Sequence, residues 1–241
     1  MGILAPKITL LGTHNTRELG GYPLKNGQTT RLHSLLRSDS LHGLDAKDCE
    51  TLYAYGVRTV VDLRSQAECA DAPCALLGRH DIAYHNVPLL DSIHSSGFQG
   101  TLPKSMGEMY VDLLDKSQPL IRQALALLAQ ASGCALFNCT AGKDRTGVIA
   151  MLFLLAAGVD EETVIADYAA TYQNLERFIT ARIAAIKALR ADAPEYLFRS
   201  DPEQMAAAIA HLNQNHGGIE NYLSTIGLHQ HELIAVKSRL R

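Results

Sequence analysis

The sequence predicts an α/β fold: one domain on a central, mostly parallel sheet flanked by helices, with an extended helical C-terminal part. Three observations carry that prediction. Up to about residue 145, short apolar runs alternate with amphipathic helical patterns, and beyond it the pattern is helical throughout. No internal repeat, low-complexity tract or linker-like break divides the 241 residues, so 1–241 reads as a single domain. A chain of this length buries a substantial core.

In order, residues 8–11 are a short strand candidate, and the polar stretch 15–22 contains Gly20-Gly21, which marks a turn. Residues 29–36 alternate loosely and predict a strand leading to Arg37-Ser38-Asp39-Ser40, where Ser or Asp can cap a helix. An amphipathic helix over 45–55 stops at Gly56 and gives way to a strand over 57–64. The polar connection 65–79 holds a short helix, and 82–90 is the next strand, ending at Asp91. Rich in Ser, Gly and His, 91–104 reads as a mobile loop of functional length. Helices follow over 105–114 and 118–130, then a strand over 134–137 and an apolar helix over 145–157 that stops at Gly158. Acids at 160–162 open a helix to residue 170, and another spans 172–190. Asp201 and Pro202 suit the N-cap and first position of a helix over 203–215. Helices over 218–224 and 229–240 complete the tail, and 160–241 is expected to pack on the same domain.

Composition excludes several classes. Apolar residues make up 47% and charged residues 20%, ordinary for a soluble globular protein. A net charge of −3 gives no general attraction to nucleic acid or acidic membranes, so any anionic substrate must be drawn by a local field. The longest apolar run, 148–159, is too short to span a bilayer, which takes about 18 residues or more. Residues 1–11 lack the features of a signal peptide. Cys49, Cys69, Cys74, Cys134 and Cys139 fit neither a zinc nor a disulfide framework. A reducing, cytoplasmic setting is the default, with secretion left open. The histidines, His211 and His216 among them, show no ligand spacing, and neither metal nor cofactor is expected.

The chemistry concentrates at Asn138-Cys139-Thr140-Ala141-Gly142-Lys143-Asp144-Arg145-Thr146-Gly147. A strand ends here and a helix begins, so backbone N–H groups and the helix N-terminus form a cradle for an oxyanion. The thiolate is the nucleophilic form of cysteine, and the cradle and the Arg145 guanidinium both favour it. The fork of Arg145 can grip two phosphate oxygens, which a lysine cannot. Thr140, Ala141, Gly142, Lys143, Asp144 and Arg145 are the expected phosphate-binding residues. Gly142 permits positive φ, and Thr146 is placed to hydrogen-bond the sulfur. Lys143 brings positive charge to the pocket mouth, which would favour substrates bearing more than one phosphate. A nucleotide-binding phosphate loop does not fit: position 137 is Phe where that motif needs Gly, and Asp144 stands where it needs Ser or Thr.

The stretch from Cys139 to Gly147 resembles the signature of the bacterial and fungal tyrosine-phosphatase-like enzymes that also act on phosphoinositides. Asn15-Thr16-Arg17-Glu18-Leu19-Gly20-Gly21, Arg37-Ser38-Asp39, and Asp62-Leu63-Arg64-Ser65 with Glu68 are similar to further blocks of that family, in the same order. The resemblance implies a protein-tyrosine-phosphatase-like fold and a cysteine-dependent phosphatase acting on phosphorylated protein or phosphoinositide. It implies that Cys139 attacks, Arg145 holds the phosphate, and an aspartate supplies the proton. Asp144, within the signature, and Asp91, where the superfamily keeps its acid, are the candidates; Asp62 is read as a structural pairing. The helices after the loop, above all 160–190, are candidates for a lid. One departure is Asn138, where the family usually has histidine; Asn can donate hydrogen bonds but carries no charge, so a less favoured thiolate is expected. Two alternatives stand beside this reading, a rhodanese-type sulfurtransferase and a phosphatase-like binding module with little turnover.

Overall fold

A computed structural model describes residues 5–79, 81–89 and 102–241. Most of the loop expected over 91–104 lies outside the described residues, and Asp91 with it. The described strands form one sheet: β1 (Arg17–Glu18), β2 (Leu35–Ser38), β3 (Val57–Asp62), β4 (Ala83–Asn86) and β5 (Cys134–Asn138). Their order is β1-β2-β5-β3-β4, with β1 antiparallel and every other pairing parallel. The mostly parallel α/β class expected from the residues is the class observed.

The helices are α1 (Ala46–Tyr55), α2 (Gln66–Asp71), α3 (Met106–Lys116), α4 (Gln118–Gln130), α5 (Asp144–Ala157), α6 (Glu161–Leu189), α7 (Pro202–His216), α8 (Ile219–Thr225) and α9 (Gln230–Ser238). Alternate residues of the strands feed two apolar clusters, as a period of two requires. Leu35, Val61, Ala135 and Phe137 face the larger one, while Leu36, Val60, Cys134 and Leu136 face the smaller. Every residue of β5 is buried, which explains its unbroken apolar run. Helix α5 is buried around almost its whole circumference, with α3, α4, α6, α8 and α9 packed against it. It ends where Gly158 adopts φ 95° and returns its N–H to Leu154 and Leu155.

Four expectations are corrected. Residues 8–11 form no strand, because the N–H groups of Leu11 and Gly12 bind the Asp48 carboxylate at 3.0 and 2.7 Å instead of a neighbouring strand. The strand expected over 29–36 is confined to β2. His33 takes φ 56° and gives its N–H to Glu18, which breaks the ladder. The strand expected over 82–90 shortens to β4, since Pro88 cannot donate to a ladder. The two helices expected between 160 and 190 are one, α6, because no glycine or proline interrupts them. Among the described residues no helix is long and apolar enough to cross a membrane.

Candidate active site

Parallel pairing brings the carboxyl ends of β2, β5 and β3 side by side, with Ser38 and Asp62 both opposite Asn138. Open α/β sheets hold ligands at this edge. Three segments meet there: Asp39 after β2, the Cys139 loop after β5, and the segment after β3 that runs from Leu63 into α2 at Glu68.

Cys139 follows β5 directly and is 2% exposed. Around it the loop's carbonyl groups are turned onto the scaffold. Asn138 O accepts from Leu63 N–H at 2.8 Å, and Thr140 O from Ser40 N–H at 3.2 Å. The Asn15 carboxamide donates to the Ala141 and Gly142 oxygens at 3.1 Å each, and Arg37 donates to Gly142 O at 2.8 Å. By contrast, the N–H groups of Thr140, Ala141 and Gly142 have no acceptor among the described residues. The loop therefore offers donors at the N-terminus of α5, the arrangement that suits an anion. Gly142 makes it feasible: its φ is 63°, and a Cβ there would sit 2.5 Å from Ser38 O.

Arg145, on the first turn of α5, is buried and grips Glu68 with both terminal nitrogens, at 2.7 and 2.8 Å. It also donates to the Thr140 hydroxyl at 3.1 Å. Burial would raise the pKa of Glu68, but Arg145 and the Thr140 hydroxyl outweigh it and hold the carboxyl well below the usual range. Glu68 also closes a capping box with Ser65, so α2 fixes where Arg145 is held.

A second buried network anchors the far side of the loop. Asp167 of α6 pairs with Arg17 at 2.8 Å and with Arg37, and it accepts from Tyr22 OH at 2.9 Å. Arg17 also binds the side-chain oxygen of Asn15. Asn15 and Arg37, which hold the loop carbonyls, are thus both tied to one carboxylate, directly or through Arg17. Burial pushes Asp167 up, but the two guanidinium groups more than offset it and bring it to about 2.

Beside the loop lies a cavity of about 200 Å³. Thr140, Ala141, Lys143 and Asp144 form one side with His14 and Asp39; Met106, Leu175, Phe178, Ile179, Ile186, Leu197 and Phe198 form an apolar wall and roof. Phe178, 47% exposed, stacks on His14 with ring centroids 3.4 Å apart. Asp144 Oδ1 accepts from Tyr110 OH at 2.7 Å. Asp39 accepts the N–H groups of His14 and Asn15 at 3.0 Å each. Burial raises its carboxyl, and those N–H groups pull partly the other way.

The other expected residues behave less simply. The Lys143 ammonium does not simply face the cavity mouth: it donates to the carbonyls of Leu197 and Arg199 at 2.7 and 3.0 Å, and lies 3.4 Å from Asp144. Thr146 Oγ1 is buried and makes no hydrogen bond among the described residues, so the expected bond to sulfur is not formed. Asn138 is fully buried, its Oδ1 likewise without a partner there. Asp62 binds Arg64 at 2.7 Å and Tyr84 at 3.1 Å, the pairing expected for it. Glu68, Asp39, Tyr110 and Asp167 reach the site only through the fold. A fully buried acid on α6 facing two arginines leaves no linear signal.

A family described as the tyrosine phosphatase family matches residues 8–241. The chain is 35% identical over 218 residues to a tyrosine-protein phosphatase of Nostoc commune, covering 86% of this chain and 74% of that protein. It is 26% identical over 242 residues to the triple specificity protein phosphatase PtpB of Mycobacterium tuberculosis, covering 81% and 86%. A crystal structure of P. aeruginosa TpbA in complex with pTyr is similar at a TM-score of 0.36 and 16% identity, covering 66% of this chain and 87% of that one.

Proposed function

Since the chain belongs to the tyrosine phosphatase family, we propose that it hydrolyses phosphate monoesters, phosphotyrosine foremost, through a phosphocysteine intermediate on Cys139. The observation that carries this reading is the polarity of the loop. Carbonyls at 138, 140, 141 and 142 are engaged by the scaffold, while the N–H groups of 140–142 have no acceptor among the described residues. A phosphoryl group held there would meet these donors and the guanidinium of Arg145, which reaches the Thr140 hydroxyl beside Cys139.

In the first step the Cys139 thiolate attacks phosphorus. The S–P bond forms as the P–O ester bond breaks, and the leaving oxygen takes a proton from Asp144. In the second step Asp144 removes a proton from water, the water oxygen attacks phosphorus, and the S–P bond breaks to release phosphate. Asp144 is preferred because it belongs to the loop and borders the cavity. Asp39 borders the same cavity and, with its carboxyl raised by burial, is the second candidate. Asp91 is the third.

The apolar wall favours an aryl leaving group over a short seryl one. Phosphoinositides are a second substrate class, favoured by Lys143 beside the cavity. That class requires Lys143 to release the Leu197 and Arg199 carbonyls. Family membership sets the sulfurtransferase alternative aside.

Hydrolysis of p-nitrophenyl phosphate and of a phosphotyrosine peptide by wild type and Cys139→Ser tests the proposal. The expected result is a loss of at least about 10³-fold in kcat with peptide binding retained. Near wild-type turnover in Cys139→Ser would overturn it.

A further inference from the structure

Far from the loop, the fold gathers ligand-type side chains that their sequence positions keep apart. Asp115, next to last in α3, receives His211 Nε2 at 3.0 Å and His216 Nε2 at 2.8 Å, both on the same carboxylate oxygen. Among the described residues this is the one group of three metal-ligating side chains whose donor atoms all lie within 4.8 Å of one another. We propose that Asp115, His211 and His216 form a binding site for a borderline divalent cation of the Zn²⁺ class, which braces α3 against α7.

Helix geometry favours a cation at this point. Helices α3 and α7 run side by side in the same direction: Gly107 near the start of α3 lies against Gln204 and Ala207, and Asp115 near its end meets His211 and His216. Both C-termini therefore finish at the cluster, each with a partial charge of about half a unit negative. The Asp115 carboxylate adds a full negative charge. The histidine side chains are only 17% and 15% exposed, while that of Asp115 is 40% exposed, so two imidazoles form a wall and the open side faces solvent. His216 is set edge-on to Tyr222 and to His211, with ring centroids 5.0 and 5.3 Å apart. Tyr222 is fully buried and its hydroxyl is fixed to Leu114 O at 2.9 Å, which fixes the wall.

The donor set selects the metal. Two imidazoles and one carboxylate suit Zn²⁺, whereas Mg²⁺ and Ca²⁺ require oxygen ligands. Metal–ligand bonds of about 2.0–2.2 Å at tetrahedral angles put donor atoms roughly 3.3–3.5 Å apart. The present 2.8–3.0 Å contacts must open by about half an ångström. On binding, each imidazole gives up the Nε2 proton it shares with Asp115, to its own Nδ1 through solvent or to bulk water, and turns the freed Nε2 lone pair to the ion. Three protein ligands leave a fourth position for water. Asp115 lies nine residues, about 14 Å, along α3 from Met106 at the cavity, so the ion acts on the helix pair and not on the phosphoryl group.

The test is a zinc titration of chelator-treated full-length protein carrying Cys139→Ser, which removes the nucleophile as a competing ligand. Calorimetry and thermal unfolding are read together, with Mg²⁺ as the hard-cation arm. One equivalent of Zn²⁺ should bind, and at about 100 times Kd it should raise Tm by roughly 5–10 °C. His211→Ala, His216→Ala and Asp115→Asn should each abolish the shift, and Mg²⁺ should produce none. Asp115→Asn keeps an acceptor for the histidines, so it stays informative if a histidine variant folds poorly. No zinc-dependent shift in the parent protein would overturn the proposal. An equal shift in Asp115→Asn and either histidine variant would also do so, placing the ion on other ligands such as the remaining cysteines.

Discussion

Asp144 borders the cavity while its Oδ1 is held by Tyr110, so Asp144→Asn preserves the shape of the site and removes the group proposed to supply the proton. The expected result is a fall in kcat of about 10²–10⁴-fold and a rate that becomes steeply dependent on leaving-group pKa. If Asp39→Asn produces that dependence and Asp144→Asn does not, the proton comes from Asp39. Gly142 gives a second test. Its φ of 63° and the 2.5 Å approach to Ser38 O leave no room for a side chain. Gly142→Ala should cost at least about 1–2 kcal/mol in urea unfolding and cripple turnover; unchanged stability and activity would contradict the tight packing of the loop. Cys139, Gly142 and Arg145 were legible in the sequence because their spacing falls within one loop between a strand and a helix. Glu68 and Asp167 were not recognised as anchors. They meet their arginines across 77 and 130–150 positions of chain, and only the fold brings such partners together.

The elements around the loop divide the work. Strand β5 and helix α5 were readable almost to the residue, because a fully buried strand followed by an almost fully buried helix leaves continuous apolar runs. Helix α6 reads as two pieces in the sequence because its burial changes character along its length: the first half lies on the core, and the second carries Leu175, Phe178, Ile179 and Ile186 over the cavity. The turn at Glu195–Phe198 completes the roof and is fastened to the loop through Lys143. An apolar wall of this kind should contribute to aryl substrates through contact. Removing the half-exposed ring in Phe178→Ala should therefore raise KM for a phosphotyrosine peptide about five- to tenfold with kcat little changed. An unchanged KM would mean that the substrate ring does not touch this wall.

At the scale of the molecule, buried charge makes stability depend on acid. The Asp167 carboxyl sits at about 2 in the folded chain, below its ordinary value in the unfolded one. Its contribution is complete above about pH 4 and is lost as pH falls towards 2, an effect on the order of 2 kcal/mol. Urea midpoints should fall across that window. Asp167→Asn should lessen the dependence while lowering stability at neutral pH, because Arg17 and Arg37 stay buried without their carboxylate. An unchanged acid profile in the variant would remove Asp167 from this role. The same network holds Asn15 and Arg37 on the loop carbonyls, so the fold and the orientation of the anion cradle are linked. The central claim is that this cradle presents a phosphoryl group to the Cys139 sulfur. Rapid mixing with p-nitrophenyl phosphate, acid quenching and mass spectrometry of the intact chain test it most directly. The predicted result is one phosphoryl group on Cys139, formed in a burst and enriched in Asp144→Asn; turnover with no adduct on that sulfur would contradict it.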